Sequence, residues 1–135
     1  MNIDKLLGMA DESLRASRLL HQNDCFYSAV SRSYYAMFDA ARAALLASGY
    51  DAESTKTHKG ILVAFSQRLV KNGTLPKEMS QHLQRAEWIR NLSDYKGDVC
   101  DRAEVLELLE RAQAFVEGVK AHISGLRAAG GADTP

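Results

Sequence analysis

Residues 26–46 read FYSAVSRSYYAMFDAARAALL. Phe26, Val30, Tyr34, Met37, Phe38, Ala41 and Leu45 recur at intervals of three and four, the spacing of one face of an α-helix. Neither proline nor glycine interrupts the stretch, so a helix is predicted to run to about Ser48 and stop at Gly49. Tyr27 and Tyr34 fall on the apolar side, where core packing is the default use of a tyrosine. Arg32, Tyr35, Asp39 and Arg42 line a different face. A stripe of mixed charge is ordinarily solvated; its other use is an interface.

The same period extends in both directions. Leu6, Leu7, Ala10, Leu14 and Leu20 trace a stripe on a first helix, about Asp4 to Leu20, with Ser17 filling a gap. Asn23 and Asp24 offer a cap for the second helix. After a loop over residues 50–57, a third helix spans about His58 to Lys71, with Ile61, Leu62, Phe65 and Leu69 inward. Asn72-Gly73 ends it. Pro76 suits the first turn of a fourth helix, where its missing N–H is harmless, and this helix runs to about Ser93. Asp101 caps a fifth, reaching about Gly125, with Val105, Leu108, Leu109, Ala112, Phe115, Val116, Val119 and Ile123 on its stripe. No long alternating segment reads as a strand. The expected fold is all-α: an antiparallel helical bundle of about five helices, residues 1–127, with a flexible tail at 128–135.

Composition narrows the function. A length of 135 residues suits one domain. Lys+Arg and Asp+Glu are both 17, and this balance argues against a broad nucleic-acid footprint while allowing a local basic cleft. No apolar run approaches the roughly 20 residues that span a bilayer, and the first residues lack a signal-peptide pattern. A cytoplasmic protein with no membrane contact is expected, with Cys25 and Cys100 as reduced thiols. His21, His58, His82 and His122 form no i,i+4 pair, so neither a metal nor a cofactor is expected. There is no Walker loop, GxGxxG or nucleophile elbow.

The fourth helix carries the unusual pattern. At about 100° per residue, Met79, Leu83 and Ala86 cluster on one side and Arg90 points into their middle. Trp88 and Leu92 point almost the opposite way, so the second face needs its own burial partner. An arginine on an apolar stripe needs a partner too. Asp94, one turn on, can pair with it, and so can Glu87. Two uses follow: a structural ion pair, or a guanidinium facing a cleft and binding phosphate. Tyr95, just beyond, either packs or meets a ligand. His58, opening the third helix, either caps it, faces solvent, or comes near the Arg90 cleft.

Three blocks resemble the HEPN-domain family, and within it a small stand-alone prokaryotic branch. They are Arg32-Ser33-Tyr34-Tyr35-Ala36-Met37-Phe38-Asp39-Ala40-Ala41, Thr57-His58-Lys59-Gly60 with Phe65, and Arg90-Asn91-Leu92-Ser93-Asp94-Tyr95. Ala112 and Phe115 fit the last helix, and the resemblance covers about residues 4 to 124. It implies a helical bundle that dimerises. It also implies a toxin–antitoxin system in which the partner is a minimal nucleotidyltransferase, able in some pairs to modify a tyrosine near the motif. Many such proteins are metal-independent endoribonucleases with an Arg-x(4–6)-His motif ending the fourth helix. Here the motif lacks its histidine: positions 95 to 97 are Tyr95, Lys96 and Gly97. The expected site has Arg90, Asp94 and Tyr95 at its centre, with Arg90, Asn91 and His58 binding RNA or nucleotide. The alternative is a non-catalytic dimeric interaction module in which Arg90–Asp94 is only a structural pair.

Overall fold

The computed structural model describes residues 2–51, 55, 57–97 and 100–130. Within them the chain forms α1 (Ile3–Gln22), α2 (Phe26–Ala47), α3 (His58–Phe65), a π-helical turn (Ser66–Val70), α4 (Lys77–Lys96) and α5 (Arg102–Ala128). No strand occurs among the described residues. The expected all-α bundle is what forms, and its helix ends depart from the sequence reading in informative ways.

α2 is the central element and packs against α1, α3, α4 and α5. Its composition explains this. Ala29, Ala36, Ala40, Ala41, Ala43 and Ala44 are fully buried beside Tyr34, Met37 and Leu45. Small side chains around the helix let neighbours approach from several sides, as a helix buried all round requires. Where α1 crosses α2, Ser17 sits on the apolar stripe. Its hydroxyl donates to the Ala29 carbonyl at 2.8 Å and shares a 2.8 Å bond with the Ser33 hydroxyl. A buried hydroxyl left unbonded costs about 1–3 kcal/mol, and here none is. Phe65 meets Phe115 with ring centroids 5.5 Å apart, joining α3 to α5.

The α1–α2 turn corrects one expectation. Asn23 and Asp24 do not cap α2, whose N-cap Cys25 makes no side-chain bond to the helix. Asn23 instead closes α1, its amide donating to the Leu19 carbonyl at 2.8 Å. Asp24 takes a left-handed conformation (φ 60°), one that Asp tolerates better than most residues, and pairs with Arg102. His21 adds a 3.0 Å bond to the Arg102 carbonyl, so the end of α1 is fastened to the start of α5. There Asp101 and Glu104 form the full reciprocal capping box.

α3 is shorter than predicted. After Phe65 the chain widens into the π-helical turn, with Lys71 N–H bonding back to the Ser66 carbonyl at 2.9 Å. Leu69 and Leu75 remain buried. Pro76 stands just before α4, at its N-cap rather than in its first turn. α4 runs three residues beyond the predicted Ser93, to Lys96, and ends at Gly97, whose φ of 83° few residues but glycine accept. Asp94 and Tyr95 are therefore helical. α5 continues beyond the predicted Gly125 to Ala128, the first residue of the predicted tail; residues 131–135 lie outside the described residues.

Candidate functional site

α4 lays one face on α2 and presents Arg90 to the aromatic block of that helix. The Arg90 side chain is 20% exposed. Its guanidinium carbon stands 5.1 Å from the Tyr34 ring centroid and 5.5 Å from that of Tyr35. Aromatic faces stabilise a cation where water is thinned out. Nη1 donates to the Tyr35 hydroxyl at 2.9 Å and Nη2 to the Asn91 side-chain oxygen Oδ1 at 3.2 Å. Nε is buried without a hydrogen bond, 3.7 Å from an Asp94 carboxylate oxygen. The Arg90–Asp94 pair thus exists, yet it is loose: the fork is held by neutral oxygens and rings, not by a bidentate carboxylate.

Asp94 is 43% exposed. Its other oxygen accepts a 2.8 Å hydrogen bond from the Tyr27 hydroxyl. Tyr27 is therefore no core residue; it is 47% exposed and reaches from the first turn of α2 to the last turns of α4. The bond to Asp94 holds the Tyr27 phenol above its usual range, because ionising it beside a carboxylate is unfavourable.

α3 contributes His58. Thr57, not His58, caps that helix, accepting from Gly60 N–H at 2.9 Å. The His58 ring stacks on Phe38 with centroids 4.1 Å apart and planes inclined by 20°, and stands edge-on to Tyr35 at 5.7 Å. Its Nδ1 lies 3.2 Å from the Tyr34 hydroxyl. Burial, helped by the Arg90 charge, pulls the imidazole below the usual histidine range, with Glu87 opposing. Burial first, then the Glu87 charge, raises the Tyr34 phenol well above its ordinary value, so Tyr34 stays protonated.

The stripe read as solvated is in fact part of this site. Tyr35 is half-buried under Arg90, and the Arg32 guanidinium lies 4.9 Å from the same ring. Asp39 is buried and pairs with Arg42 at 3.6 Å. Burial raises its carboxyl above the usual range against the pull of Arg42 and Arg32. Arg90, Asn91, Asp94 and His58 thus gather around Tyr34 and Tyr35. Tyr95 does not join them: it is 87% exposed and makes no hydrogen bond or ring contact to the group among the described residues. Tyr27 and Tyr35 were assigned other roles from sequence. The readable signal was spacing, since Tyr27 lies two helical turns before Tyr34.

The apolar second face of α4 finds only partial cover. Trp88 is 59% exposed and stands beside a groove of about 360 Å³ that includes Ile89, Leu92, Cys100 and Leu108 but not Arg90. Cys25 is exposed and Cys100 partly buried. No helix among the described residues is long and apolar enough to cross a membrane.

The comparisons place this all-α bundle in a known family. The HEPN domain family model matches residues 3–122, so the chain belongs to the HEPN domain family. A UPF0332 protein of Gloeobacter violaceus is 40% identical over 114 residues, covering 83% of this chain and 88% of that protein. A UPF0332 protein of Thermotoga maritima is 34% identical over 122 residues, 89% of each chain. A Methanocaldococcus jannaschii protein named "Putative toxin MJ0142" is 30% identical over 122 residues, covering 90% of this chain and 81% of its own. A second protein of the same organism, named "Putative toxin MJ0605", is 29% identical over 118 residues, covering 87% of this chain and 86% of its own.

Proposed function

We propose that this HEPN domain acts as the toxin-like member of a paired system and binds RNA or nucleotide phosphate at Arg90. One observation carries the proposal: a half-buried guanidinium held by Tyr34, Tyr35 and Asn91, with its nearest carboxylate 3.7 Å away. Cradled this way, the fork is oriented before any ligand arrives, and an anion displaces only a weak ion pair. His58 and Asn91 flank the phosphate position, and Asp94, steadied by Tyr27, orients Arg90. The neutral net charge fits a local contact with a few phosphates rather than a long basic track. The working unit is a homodimer, its partner a minimal nucleotidyltransferase, and endoribonuclease activity without metal is the chemistry this site would serve.

The test is binding of a fluorescein-labelled single-stranded RNA to wild type and Arg90→Ala at fixed low salt. Losing a charged hydrogen-bonding group costs about 1.5–3 kcal/mol, so affinity should fall at least tenfold. Equal affinity for the two proteins would end the assignment of Arg90. The competing use, a non-catalytic interaction module, has the exposed Trp88 in its favour. If the Trp88 face is covered in a dimer, its fluorescence should change on dilution through dissociation. A monomer at all concentrations would remove the dimer from both versions.

A further inference from the structure

We infer that His58 is the proton-transfer residue of the Arg90 site, taking the proton from the 2′-hydroxyl of an RNA strand whose phosphate lies on Arg90. The inference rests on the proposal that Arg90 holds an RNA phosphate, and it supplies the group that the end of α4 lacks.

Arg90 and His58 come from different helices and meet on one residue. The Tyr34 ring carries the guanidinium 5.1 Å from its centroid, and the Tyr34 hydroxyl lies 3.2 Å from His58 Nδ1. The His58 ring is held on two further sides, stacked on Phe38 and perpendicular to Tyr35. Nδ1 is thereby engaged, and among the described residues no hydrogen bond reaches Nε2.

Tyr34 is suited to a histidine that changes its proton. A hydroxyl both donates and accepts. It donates to Nδ1 when the proton sits on Nε2, and accepts from Nδ1–H when Nε2 carries a lone pair or when both nitrogens are protonated. The imidazole keeps its orientation through the cycle. Arg90, Glu87 and Arg42 are the charged groups acting on it. The balance leaves the ring neutral near pH 7, the form a base requires.

The other acid–base candidates are worse placed. Both Asp94 oxygens are engaged, one by Tyr27 and one by Arg90. Tyr95 stands out in solvent.

The step balances without a co-reactant. Nε2 of His58 takes the 2′-hydroxyl proton as that oxygen bonds to phosphorus. The P–O5′ bond breaks, and the 5′ oxygen takes a proton that the imidazolium returns directly or through water. The products are a 2′,3′-cyclic phosphate and a 5′-hydroxyl. Arg90 holds the charge that builds on the phosphate oxygens.

The experiment compares wild type, His58→Asn and Arg90→Ala on a fluorescein-labelled single-stranded RNA and on its fully 2′-O-methylated counterpart, in chelator. The methylated strand reads binding alone, because it has no 2′-hydroxyl to ionise. Wild type should cleave RNA to cyclic-phosphate ends and bind the methylated strand intact. His58→Asn should lose roughly 10²–10⁴-fold in cleavage and far less in affinity for the methylated strand than Arg90→Ala does; Arg90→Ala should lose both. The wild-type rate should fall on the acid side within about pH 5–8. Wild type that binds but never cleaves, His58→Asn that cleaves like wild type, or a rate flat across that range would each overturn the role of His58 and leave phosphate binding standing. Failure of wild type to bind the methylated strand would overturn the Arg90 proposal itself, and this inference with it. If His58→Asn fails to fold, Tyr34→Phe is read instead: it removes the partner of Nδ1, keeps the ring under Arg90, and should lower the cleavage rate by a larger factor than it lowers binding. Unchanged cleavage there overturns the relay.

Discussion

Two places in this bundle put polar side chains where the helical pattern asks for apolar ones, and they do so with opposite results. At the α1–α2 crossing, Ser17 and Ser33 are fully buried and bonded to each other, with the Ala29 carbonyl completing the set. At the α2–α4 contact, Arg90 is partly open, one nitrogen has no hydrogen bond, and its carboxylate partner is loose. The first arrangement has nothing left to bind. The second keeps a cation oriented and incompletely satisfied. The contrast separates a polar group that serves packing from one available to a ligand.

Ser17→Val should break the first place most visibly. It orphans the Ser33 hydroxyl and forces a branched side chain between close helices. Overpacking and an orphaned hydroxyl together cost about 2–4 kcal/mol, to be read as a lower urea midpoint. RNA affinity of the protein that remains folded should not change. A cost under about 0.5 kcal/mol would mean that the crossing tolerates repacking and that the contrast is false.

Arg90→Ala should do the reverse. Unfolding free energy should move by less than about 1 kcal/mol, the range of loose, partly exposed ion pairs, while RNA affinity falls as given above. A large stability loss would mean that Arg90 serves packing just as Ser17 does.

Asp94→Asn separates the two uses of the Arg90–Asp94 pair. If Asp94 orients Arg90 for a phosphate, removing its charge should weaken RNA binding by a few fold, in keeping with a pair worth at most about 1 kcal/mol, with the urea midpoint unchanged. If the pair is structural, binding stays level and the urea midpoint drops.

The smallest effect is on pH dependence. Burial lowers the affinity of His58, His82 and His122 for protons in the folded chain, and the Arg90 charge adds to this at His58. The unfolded chain then binds more protons, so stability is complete above the ordinary histidine value of about 6.5 and declines as pH falls below it. His58→Asn should make that decline shallower. An unchanged slope in urea midpoint against pH would mean that His58 does not sit in the buried stack.

The helices of this protein were legible because periodicity is a local property. The α2 stripe, the cap at Asp101 and the stop at Gly49 each follow from residues a few positions apart. The Arg90 anomaly was legible for the same reason, as a charge on an apolar stripe. The roles of Tyr27, Tyr35 and His58 were not. Tyr35 looked like one member of a solvated charge stripe, and only the approach of α4 makes it the acceptor for Arg90. Tyr27 looked like core, yet its hydroxyl ends on a residue 67 positions away. Tyr95 misled in the other direction. Adjacency to Asp94 suggested a shared cleft, but α4 runs on to Lys96 and turns Tyr95 into solvent.

By itself, then, the sequence determined an all-α bundle, the register of its helices and the one cation out of place, because each is written in intervals of three and four along the chain. Only the tertiary structure decided what that cation meets. Side chains from α2, α3 and α4 converge on Tyr34 and Tyr35 through helix packing, and packing depends on which faces touch, which no interval within a single helix encodes.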